Sequence, residues 1–420
     1  MKIKTKVLPY SEVLCLPTQK HKYPKRPNIL FRTIIRLAAI PDLWATRFKL
    51  TKTRMEKAGK GPYLILMNHS SFIDLEIASR IFYPMPYGIV CTSDGFVGKE
   101  WLMRNIGCIP TQKFVTDLTL VKDLIHAVNK KKLSVLMYPE ASYTFDGTAT
   151  PLPRRLGVLI KKLGVPVLTV ITDGAFLRDP LYNGLQKRKV KVSANLHCLF
   201  TKEDIATLSV EELDKRLDEQ FSFDNFAKQY ATKTVVNEPF RADGLNRILY
   251  RCAACNSEGY MEGKGTKLTC NKCGKTYYMD EYGRLNAENG ETEFPHIPDW
   301  YNWQRKCVKE EIKNGSYLLD VDVDIAVLRN FKAIYKIGSG HLTHTPEGFT
   351  LTGLDGELNY HHSPLASYGL YSDYFWYEIG DMICIGNKDM LYYCFPKNTG
   401  DIVAKTRIAA EEIYKLKKEK

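Results

Sequence analysis

The 420-residue sequence predicts an α/β domain, then a small four-cysteine module, then a mainly-β domain capped by a helix. Between about residues 60 and 200, short apolar runs alternate with helical patterns, which is the rhythm of βαβ units. Two Cys-x-x-Cys pairs follow between residues 252 and 273. Beyond residue 290, turn signals separate runs rich in aromatic residues, and a helical pattern closes the chain.

Positive charge is concentrated at the start of the sequence. The chain has 60 Lys and Arg against 47 Asp and Glu, a net charge of +13. The first 60 residues hold 15 of the basic residues and three of the acidic ones, so the remaining chain is close to neutral. This distribution excludes a uniformly basic nucleic-acid coat, and a nucleic-acid partner is not expected. An apolar fraction of 44% excludes a disordered chain.

Residues 1–60 are predicted to be a basic amphipathic segment that faces a membrane. Residues 28–40 have the spacing of an amphipathic helix, which Pro41 would end. Trp44 suits an interfacial position. One side of this helix is polar and the other apolar, with Asn28, Arg32 and Arg36 opposite Leu30, Phe31, Ile34, Leu37 and Ala38.

The location follows from the same segment. The sequence contains no run of 18 apolar residues and no signal-peptide pattern. We therefore expect a peripheral protein on the cytoplasmic side of an anionic membrane. The alternative at this point is a helix that packs on the next domain and exposes a solvated charged face.

Residues 61–235 are predicted to form the α/β domain. Its strands are expected in the apolar runs at 63–67, 134–138, 165–171 and 190–200. The first two runs lead directly into polar motifs, NHSSFID at 68–74 and PEASY at 139–143. Because α/β folds place their sites at the carboxyl ends of strands, we expect the functional site there.

His69 and Asp74 are the strongest candidates for chemistry. In a continuous helix, five residues turn by about 500° and would place the two side chains on different faces. They can meet only if His69 lies on a loop before the helix and Asp74 turns back toward it. Asp74 would then hold Nδ1–H of the imidazole, which leaves Nε2 free to take a proton.

Three further motifs complete four ordered blocks, since GKEW and GCIPTQK together form the second block. GKEW at 98–101 contains Lys99, GCIPTQK at 107–113 contains Lys113, and a Val-Pro-Val run contains Pro166. With the two polar motifs, these blocks resemble the PlsC-like glycerophospholipid (1-acyl-sn-glycerol-3-phosphate) acyltransferase family over about residues 30–200. The family's first block, N-H-x-S-x-x-D, is matched by Asn68, His69, Ser71 and Asp74, and its third by Pro139 and Glu140.

The resemblance implies a membrane-associated O-acyltransferase of lipid metabolism. His69, oriented by Asp74, would deprotonate a hydroxyl of a lysophospholipid, with 1-acyl-glycerol-3-phosphate as one candidate. The alkoxide would attack the thioester of acyl-CoA or acyl carrier protein, and no acyl-enzyme would be needed. The implied substrate-binding residues come from all four blocks and are Asn68, Ser71, Lys99, Lys113, Glu140, Ser142 and Pro166.

Two positions depart from the family pattern. Tyr143 stands where the third block has a phosphate-binding arginine, and Lys113 stands at an arginine position of the second. Neither side chain supplies a bidentate fork for phosphate. The acceptor is therefore another lysolipid, or a basic residue from elsewhere replaces the lost one. The same departure favours an alternative function, a non-catalytic lipid-binding or regulatory scaffold.

Residues 248–285 are predicted to form a zinc ribbon. Cys252-x-x-Cys255 is followed after 14 residues by Cys270-x-x-Cys273, which matches a site with four cysteine ligands. Strands are expected at 267–269 and 277–279. Since all four thiolates would bind the metal, no position stays open for catalysis. The zinc is therefore expected to be structural and to fold a module that is too small for its own core.

Residues 290–420 are predicted to form a β-rich domain of unknown role, capped by a helix. Antiparallel strands are expected at 349–354 and 381–385, and the final helix spans about 402–416. Four histidines could suggest a second metal site, but we interpret them as strand and loop residues: His341, His344, His361 and His362.

Overall fold

The N-terminal part contains two short strands and three helices. The structure, a computed structural model, describes residues 2–115, 118–153, 155–397 and 402–419. The first elements are β1 (Thr5–Val7), α1 (Tyr10–Cys15), α2 (Ile29–Ala38), α3 (Ile40–Ala45) and β2 (Lys49–Thr53). Asn28 caps α2, as its side chain accepts a hydrogen bond from the Leu30 amide at 2.8 Å. Pro41 lies in the first turn of α3, where no amide donor is needed, so the chain resumes a helix there.

A seven-stranded sheet forms the α/β domain. Its further strands are β3 (Leu64–Met67), β4 (Tyr87–Thr92), β5 (Cys108–Thr111), β6 (Ser134–Met137), β7 (Val167–Asp173) and β8 (Ser193–Phe200). The strand order is β2-β8-β7-β3-β6-β4-β5, and only the β7–β8 pair is antiparallel. The helices are α4 (Ile73–Phe82), α5 (Glu100–Ile106), α6 (Leu118–Ile125), α7 (Leu156–Leu163), α8 (Ala175–Arg178), α9 (Lys202–Thr207), α10 (Val210–Gln220) and α11 (Asn225–Ala231).

Helices cover both faces of this sheet. In β3, Ile65 and Met67 join the core beneath α4, whereas Leu64 and Leu66 join the core beneath α6, α7 and α10. A strand buried on both faces reads as a continuous apolar run, which is why the sequence predicts it well. The parallel arrangement brings the carboxyl ends of β3 and β6 to one edge, where both polar motifs begin.

The cysteine-rich module is a four-stranded antiparallel sheet. Its strands are β9 (Met261–Lys264), β10 (Lys267–Cys270), β11 (Thr276–Met279) and β12 (Leu285–Ala287), in the order β12-β11-β10-β9. The expected strands at 267–269 and 277–279 lie within β10 and β11. Gly265, with φ +65°, lies in the tight turn between β9 and β10.

The C-terminal region is mostly β-structure between two helices. It consists of α12 (Ile297–Lys313), β13 (Leu319–Asn330), β14 (Ala333–Thr345), β15 (Gly348–Gly353), β16 (Leu358–His362), β17 (Tyr371–Trp376), β18 (Gly380–Asn387), β19 (Met390–Pro396) and α13 (Ile402–Glu419). The predicted strands at 349–354 and 381–385 correspond to β15 and β18, and the final helix to α13. The sequence analysis missed α12, whose apolar face is built from large aromatic side chains such as Trp300.

The first 15 residues pack on the C-terminal domain. β1 pairs in parallel with β14, with Thr5 opposite Ile334. Tyr10 is buried, and its hydroxyl lies 2.8 Å from that of Tyr392. The expectation of one membrane-facing segment over 1–60 is therefore corrected for its first part. β1 forms because it pairs with a strand more than 300 residues away. A short basic segment that pairs in this way has no hydrophobic periodicity from which the strand could be predicted.

No helix in the described ranges is both long and apolar enough to cross a bilayer.

Candidate active site

His69 and Asp74 meet as the sequence predicts. His69 follows β3, and Asp74 is the second residue of α4, so a tight loop joins them. Nδ1 of His69 lies 3.0 Å from Oδ2 of Asp74. Since a carboxylate can only accept, Nδ1 carries the proton in this pair. The basic atom of the neutral imidazole is therefore Nε2.

Asp74 also holds the loop that carries His69. Its Oδ2 accepts hydrogen bonds from the amides of Ser70 at 2.8 Å and Ser71 at 3.1 Å. The side chain is 1% exposed, at the amino end of α4, where the helix dipole favours a negative charge. One carboxylate thus fixes the loop backbone and the imidazole together.

Two tyrosine rings cover the faces of the imidazole. The rings of Tyr138 and Tyr143 both stack on the imidazole of His69. The centroid of each tyrosine ring lies 4.0 Å from the centroid of the imidazole. The His69 side chain is 17% exposed. Burial lowers the pKa of His69 below its ordinary value; the hydrogen bond and charge of Asp74 oppose this shift, and the charge of Lys113 adds to it. The imidazole is therefore neutral and basic at pH 7.

Glu140 lies behind His69. One oxygen accepts from the backbone amide of His69 at 3.0 Å, and the other accepts from the amide and the hydroxyl of Thr150 at 3.0 and 3.1 Å. Burial raises the pKa of Glu140 to about 7, although these hydrogen bonds lower it. The structure thus places Glu140 in the support of the His69 loop, whereas the sequence analysis expected it to contact the acceptor.

Asn68 and Ser71 belong to the same buried framework. Oδ1 of Asn68 accepts from the amide and the hydroxyl of Thr172 at 2.8 and 3.1 Å, which ties the end of β3 to β7. Both Asn68 and Ser71 have no exposed surface. In this structure both side chains shape the loop, and their contact with substrate stays a prediction.

The two predicted lysines differ in their relation to the site. Lys113 is half-buried, and its ammonium lies 4.5 Å from the ring centroid of Tyr371 on β17. Burial lowers the pKa of Lys113, against the charges of Asp373 and Asp94. Lys99 is half-buried immediately before α5. The charge of Lys113 acts on His69.

Ser142 lies at the site, whereas Pro166 does not. The Ser142 hydroxyl accepts a hydrogen bond from Nη2 of Arg407, on α13, at 2.9 Å. Pro166 precedes β7, and its carbonyl accepts from the amide of Leu64 at the start of β3. Since β3 and β7 are parallel, Pro166 lies at the edge of the sheet opposite His69. Pro166 therefore lies away from His69, and its contact with substrate stays a prediction.

The C-terminal domain supplies residues that the sequence analysis did not assign to the site. Tyr371 contacts Lys113, and Asp373 is a half-buried residue whose carboxyl pKa is raised to about 7 by desolvation, with the charge of Lys113 opposing the shift. Arg407 contacts the segment that follows Glu140. These residues come from the last 50 positions of the chain, so no local spacing connects them with His69.

The four cysteines of the second module converge on one point. Their sulfur atoms all lie within 4.8 Å of one another, and the Cys252–Cys273 and Cys255–Cys270 pairs are both 3.8 Å apart. Ligands about 2.3 Å from a tetrahedral zinc ion are separated by about 3.8 Å. Four cysteines at these distances could hold a metal ion, and the donor set fits zinc.

The fold and the site together define an α/β domain with a histidine–carboxylate pair at the carboxyl ends of its strands. Residues 48–173 match the family model described as Acyltransferase. The matched range ends with β7 and includes the loops that carry His69 and Glu140. These residues are therefore an acyltransferase-family domain, as the order of the motifs predicts.

One solved structure and the curated proteins complete the comparison. The chain is similar to the crystal structure of the 1-acyl-sn-glycerophosphate (LPA) acyltransferase PlsC from Thermotoga maritima, with 19% identity and a TM-score of 0.36. The similarity covers 45% of this chain and 76% of that one. A likeness of this extent does not define a substrate. No curated protein sequence gives a significant match.

Proposed function

We propose that the chain is a membrane-associated O-acyltransferase that acylates a hydroxyl of a lysophospholipid. The donor is acyl-CoA or acyl carrier protein. The observation that carries the proposal is the His69–Asp74 pair, with Nδ1 held at 3.0 Å in an acyltransferase-family domain. An oriented, neutral imidazole is the group that general-base activation of an alcohol requires.

The reaction uses the two ring nitrogens for different tasks. Nε2 of His69 takes the proton of the acceptor hydroxyl as its oxygen bonds to the thioester carbonyl carbon. Asp74 stabilises the imidazolium that forms. The tetrahedral intermediate then expels the thiolate by breaking the C–S bond, and the imidazolium returns the proton to the sulfur. The ester and the free thiol are the products.

Lys113 supports the charge that develops during this step. Its ammonium is half-buried on the same side of the site as the Tyr371 ring. A positive charge in a partly desolvated site stabilises an oxyanion more strongly than it would in water. We propose that Lys113 serves this purpose or holds the acceptor's phosphate.

An apolar groove between α2 and α4 suits a fatty acyl chain. The groove opens to solvent, and the space between its walls, open solvent included, is about 350 Å³. Tyr87 in its wall belongs to the buried cluster against which Tyr138, the ring stacked on His69, also packs, so the groove shares a core with the reacting centre. Its lining is mainly apolar and consists of Arg32, Ile35, Leu75, Ser79, Tyr83, Met85, Tyr87, Ile89 and Ile106.

The outer face of α2 and α3 is proposed to lie on the membrane. Large apolar side chains of these helices are exposed, including Leu30, Leu37 and Trp44, which is 83% exposed. The first 60 residues also carry most of the net positive charge of the chain, which favours an anionic surface. Arg178, on α8, fixes α3 to the α/β domain through a 2.6 Å contact with Asp42.

The four-cysteine module is proposed to be a zinc ribbon with a structural ion. The sulfur spacing fits four ligands around one ion. All four donors are directed inward, so the ion has no position for substrate. When bound, zinc would cross-link the segment before β9, which carries Cys252 and Cys255, to the end of β10 and the turn after it, which carry Cys270 and Cys273.

A panel of donors and acceptors tests the acyl-transfer proposal. Purified full-length protein is incubated with acyl-CoA or acyl carrier protein and with lysophospholipids of different headgroup, and the lipids are analysed by mass spectrometry. We expect an acylated phospholipid, with one free thiol released for each ester formed. Binding of lipid with no product on any acceptor would favour the scaffold alternative, which draws on Tyr143 at the position of the family's phosphate-binding arginine and on the long extension beyond residue 200.

A further inference from the structure

Helix α13 of the C-terminal domain reaches the segment that covers His69. Arg407 donates from Nη2 to the Ser142 hydroxyl at 2.9 Å and from Nη1 to the Tyr143 carbonyl at 3.4 Å. The two contacts join positions about 265 residues apart in the sequence. One guanidinium thus spans two successive residues of the PEASY block.

Arg407 is held firmly by groups of both domains. It is 3% exposed, and its guanidinium lies 4.3 Å from the ring centroid of Phe145. Nε donates to Glu411 at 3.3 Å, and Arg305 of α12 contacts the same carboxylate at 2.8 Å. A side chain that is held by both domains in this way fixes the residues of one domain relative to those of the other.

The segment that Arg407 contacts needs external support. Ala141 has φ +59°, a left-handed conformation that is unfavourable for a residue other than glycine. Tyr143 then stacks on His69, and the Thr144 amide donates to the His69 carbonyl at 3.3 Å. A turn with this geometry persists only where its surroundings hold it.

We propose that Arg407 is a positioning residue that holds Tyr143 against the imidazole of His69, so that the C-terminal domain completes the active site. This inference rests on the proposed acyl transfer for its kinetic part. It gives the C-terminal domain a task, which is to close one face of the general base and direct its reacting edge toward substrate.

The first test measures the protonation of His69 and needs no turnover. Full-length protein with 13C-labelled histidine is titrated by NMR, and the His69 signal is assigned with His69→Gln. If Arg407→Met releases Tyr143, water reaches the ring and the pKa of His69 rises toward the ordinary imidazole value of about 6.5. The titratable and charged groups that face His69 in the wild type are Asp74, Lys113, Tyr138, Glu140 and Tyr143.

Lys405→Met is the matched control for this test. Lys405 lies two residues earlier on α13 and pairs with Glu258 and Glu311, away from the PEASY block. It should leave the pKa of His69 unchanged. Arg407→Lys keeps the charge but not the fork, so it should give an intermediate shift and serves in place of Arg407→Met if that variant does not fold. An unchanged His69 titration in a folded Arg407 variant would overturn the proposal.

The second test asks whether Arg407 acts through Tyr143. We expect Arg407→Met to lower kcat by about tenfold with little change in KM for the donor, because the base is misplaced. In a Tyr143→Ala background, the same substitution should have no further effect on kcat. Independent, additive losses would refute positioning through Tyr143. If the wild type proves inactive, acyl transfer fails as the function, while the NMR titration still decides the role of Arg407.

Discussion

The His69 cluster and the four-cysteine cluster are built from similar elements. They differ in whether a nitrogen or sulfur atom of the cluster stays available to a substrate. Each has a member at the end of a strand: His69 follows β3, and Cys270 is the last residue of β10. In the first, Asp74 engages Nδ1 and leaves Nε2 as a base. In the second, four sulfurs lie within 4.8 Å of one another and converge on a single point.

The difference assigns a task to each cluster. A donor left open at a partly exposed edge can exchange protons with a substrate, whereas a closed set of four thiolates can only hold an ion. We therefore expect substitutions in the His69 cluster to reduce activity more than stability. Substitutions in the cysteine cluster should do the opposite.

Loss of one thiolate should have the largest effect on stability. Cys252 is buried, so Cys252→Ser removes one ligand and leaves a polar group in the core of the module. We expect the free energy of unfolding to fall by about 4 kcal/mol and bound zinc to be lost. Thermal unfolding and metal analysis check this result. Cys15→Ser, at an exposed cysteine outside the cluster, is the control. A Cys252→Ser protein with full zinc and unchanged Tm would contradict a closed zinc site.

A substitution in the His69 cluster should reduce the rate of acyl transfer. Asp74→Asn presents an amide to Nδ1, which disfavours the tautomer that keeps Nε2 basic. We expect kcat to fall by about 100-fold or more. Asp123→Asn is a matched control, since Asp123 contacts His21 at 2.9 Å in a second histidine–aspartate pair of the chain. Equal losses of activity in both variants would show that the effect is not specific to the His69 pair.

The pH profile tests whether His69 is a neutral base. Burial lowers the pKa of His69, so its catalytic form persists below the ordinary imidazole value. We expect kcat/KM to fall only as the pH drops through this lowered pKa, about tenfold for each further pH unit. The same group costs stability as the pH falls below about 6.5, because the unfolded chain then binds the proton more strongly. An acid limb centred above pH 7 would contradict a buried neutral His69.

The smallest effect is expected at the membrane face, which lies outside both clusters. Leu30→Ser with Leu37→Ser removes apolar surface from α2, where both side chains are exposed. We expect binding to anionic phospholipid vesicles in a sedimentation assay to weaken about tenfold. Leu318→Ser with Leu365→Ser changes two similarly exposed leucines of the C-terminal domain. If both pairs weaken binding equally, α2 is not the membrane face.

The α/β sheet was predictable because its signals are local. Apolar runs such as that of β3 are continuous, and each of the expected runs overlaps an observed strand. The strand β1 and the helix α12 were not predicted. β1 exists through pairing with β14, and α12 buries large aromatic residues in a stretch of mixed character. Both elements depend on tertiary packing, which leaves no periodic pattern in the local sequence.

The part of the site that lies within one short stretch of sequence was also predictable. The spacing of His69 and Asp74 indicates their contact, because a loop before a helix can bring them together. Sequence reasoning placed Pro166 with them on motif order alone, and the parallel pairing of β3 with β7 puts it at the other edge. Arg407 and Tyr371 could not be found, since they reach the site from a separate sheet and helix.

The most direct test measures acyl transfer and bound zinc in parallel on wild-type, His69→Ala and Cys252→Ser proteins. Release of free thiol from acyl-CoA in the presence of a lysophospholipid gives the rate. His69→Ala should lose transfer, by about 1,000-fold or more, while its zinc content and Tm stay at the wild-type level. Cys252→Ser should lose zinc. Turnover retained by a folded His69→Ala protein would contradict the assignment of His69 as the general base.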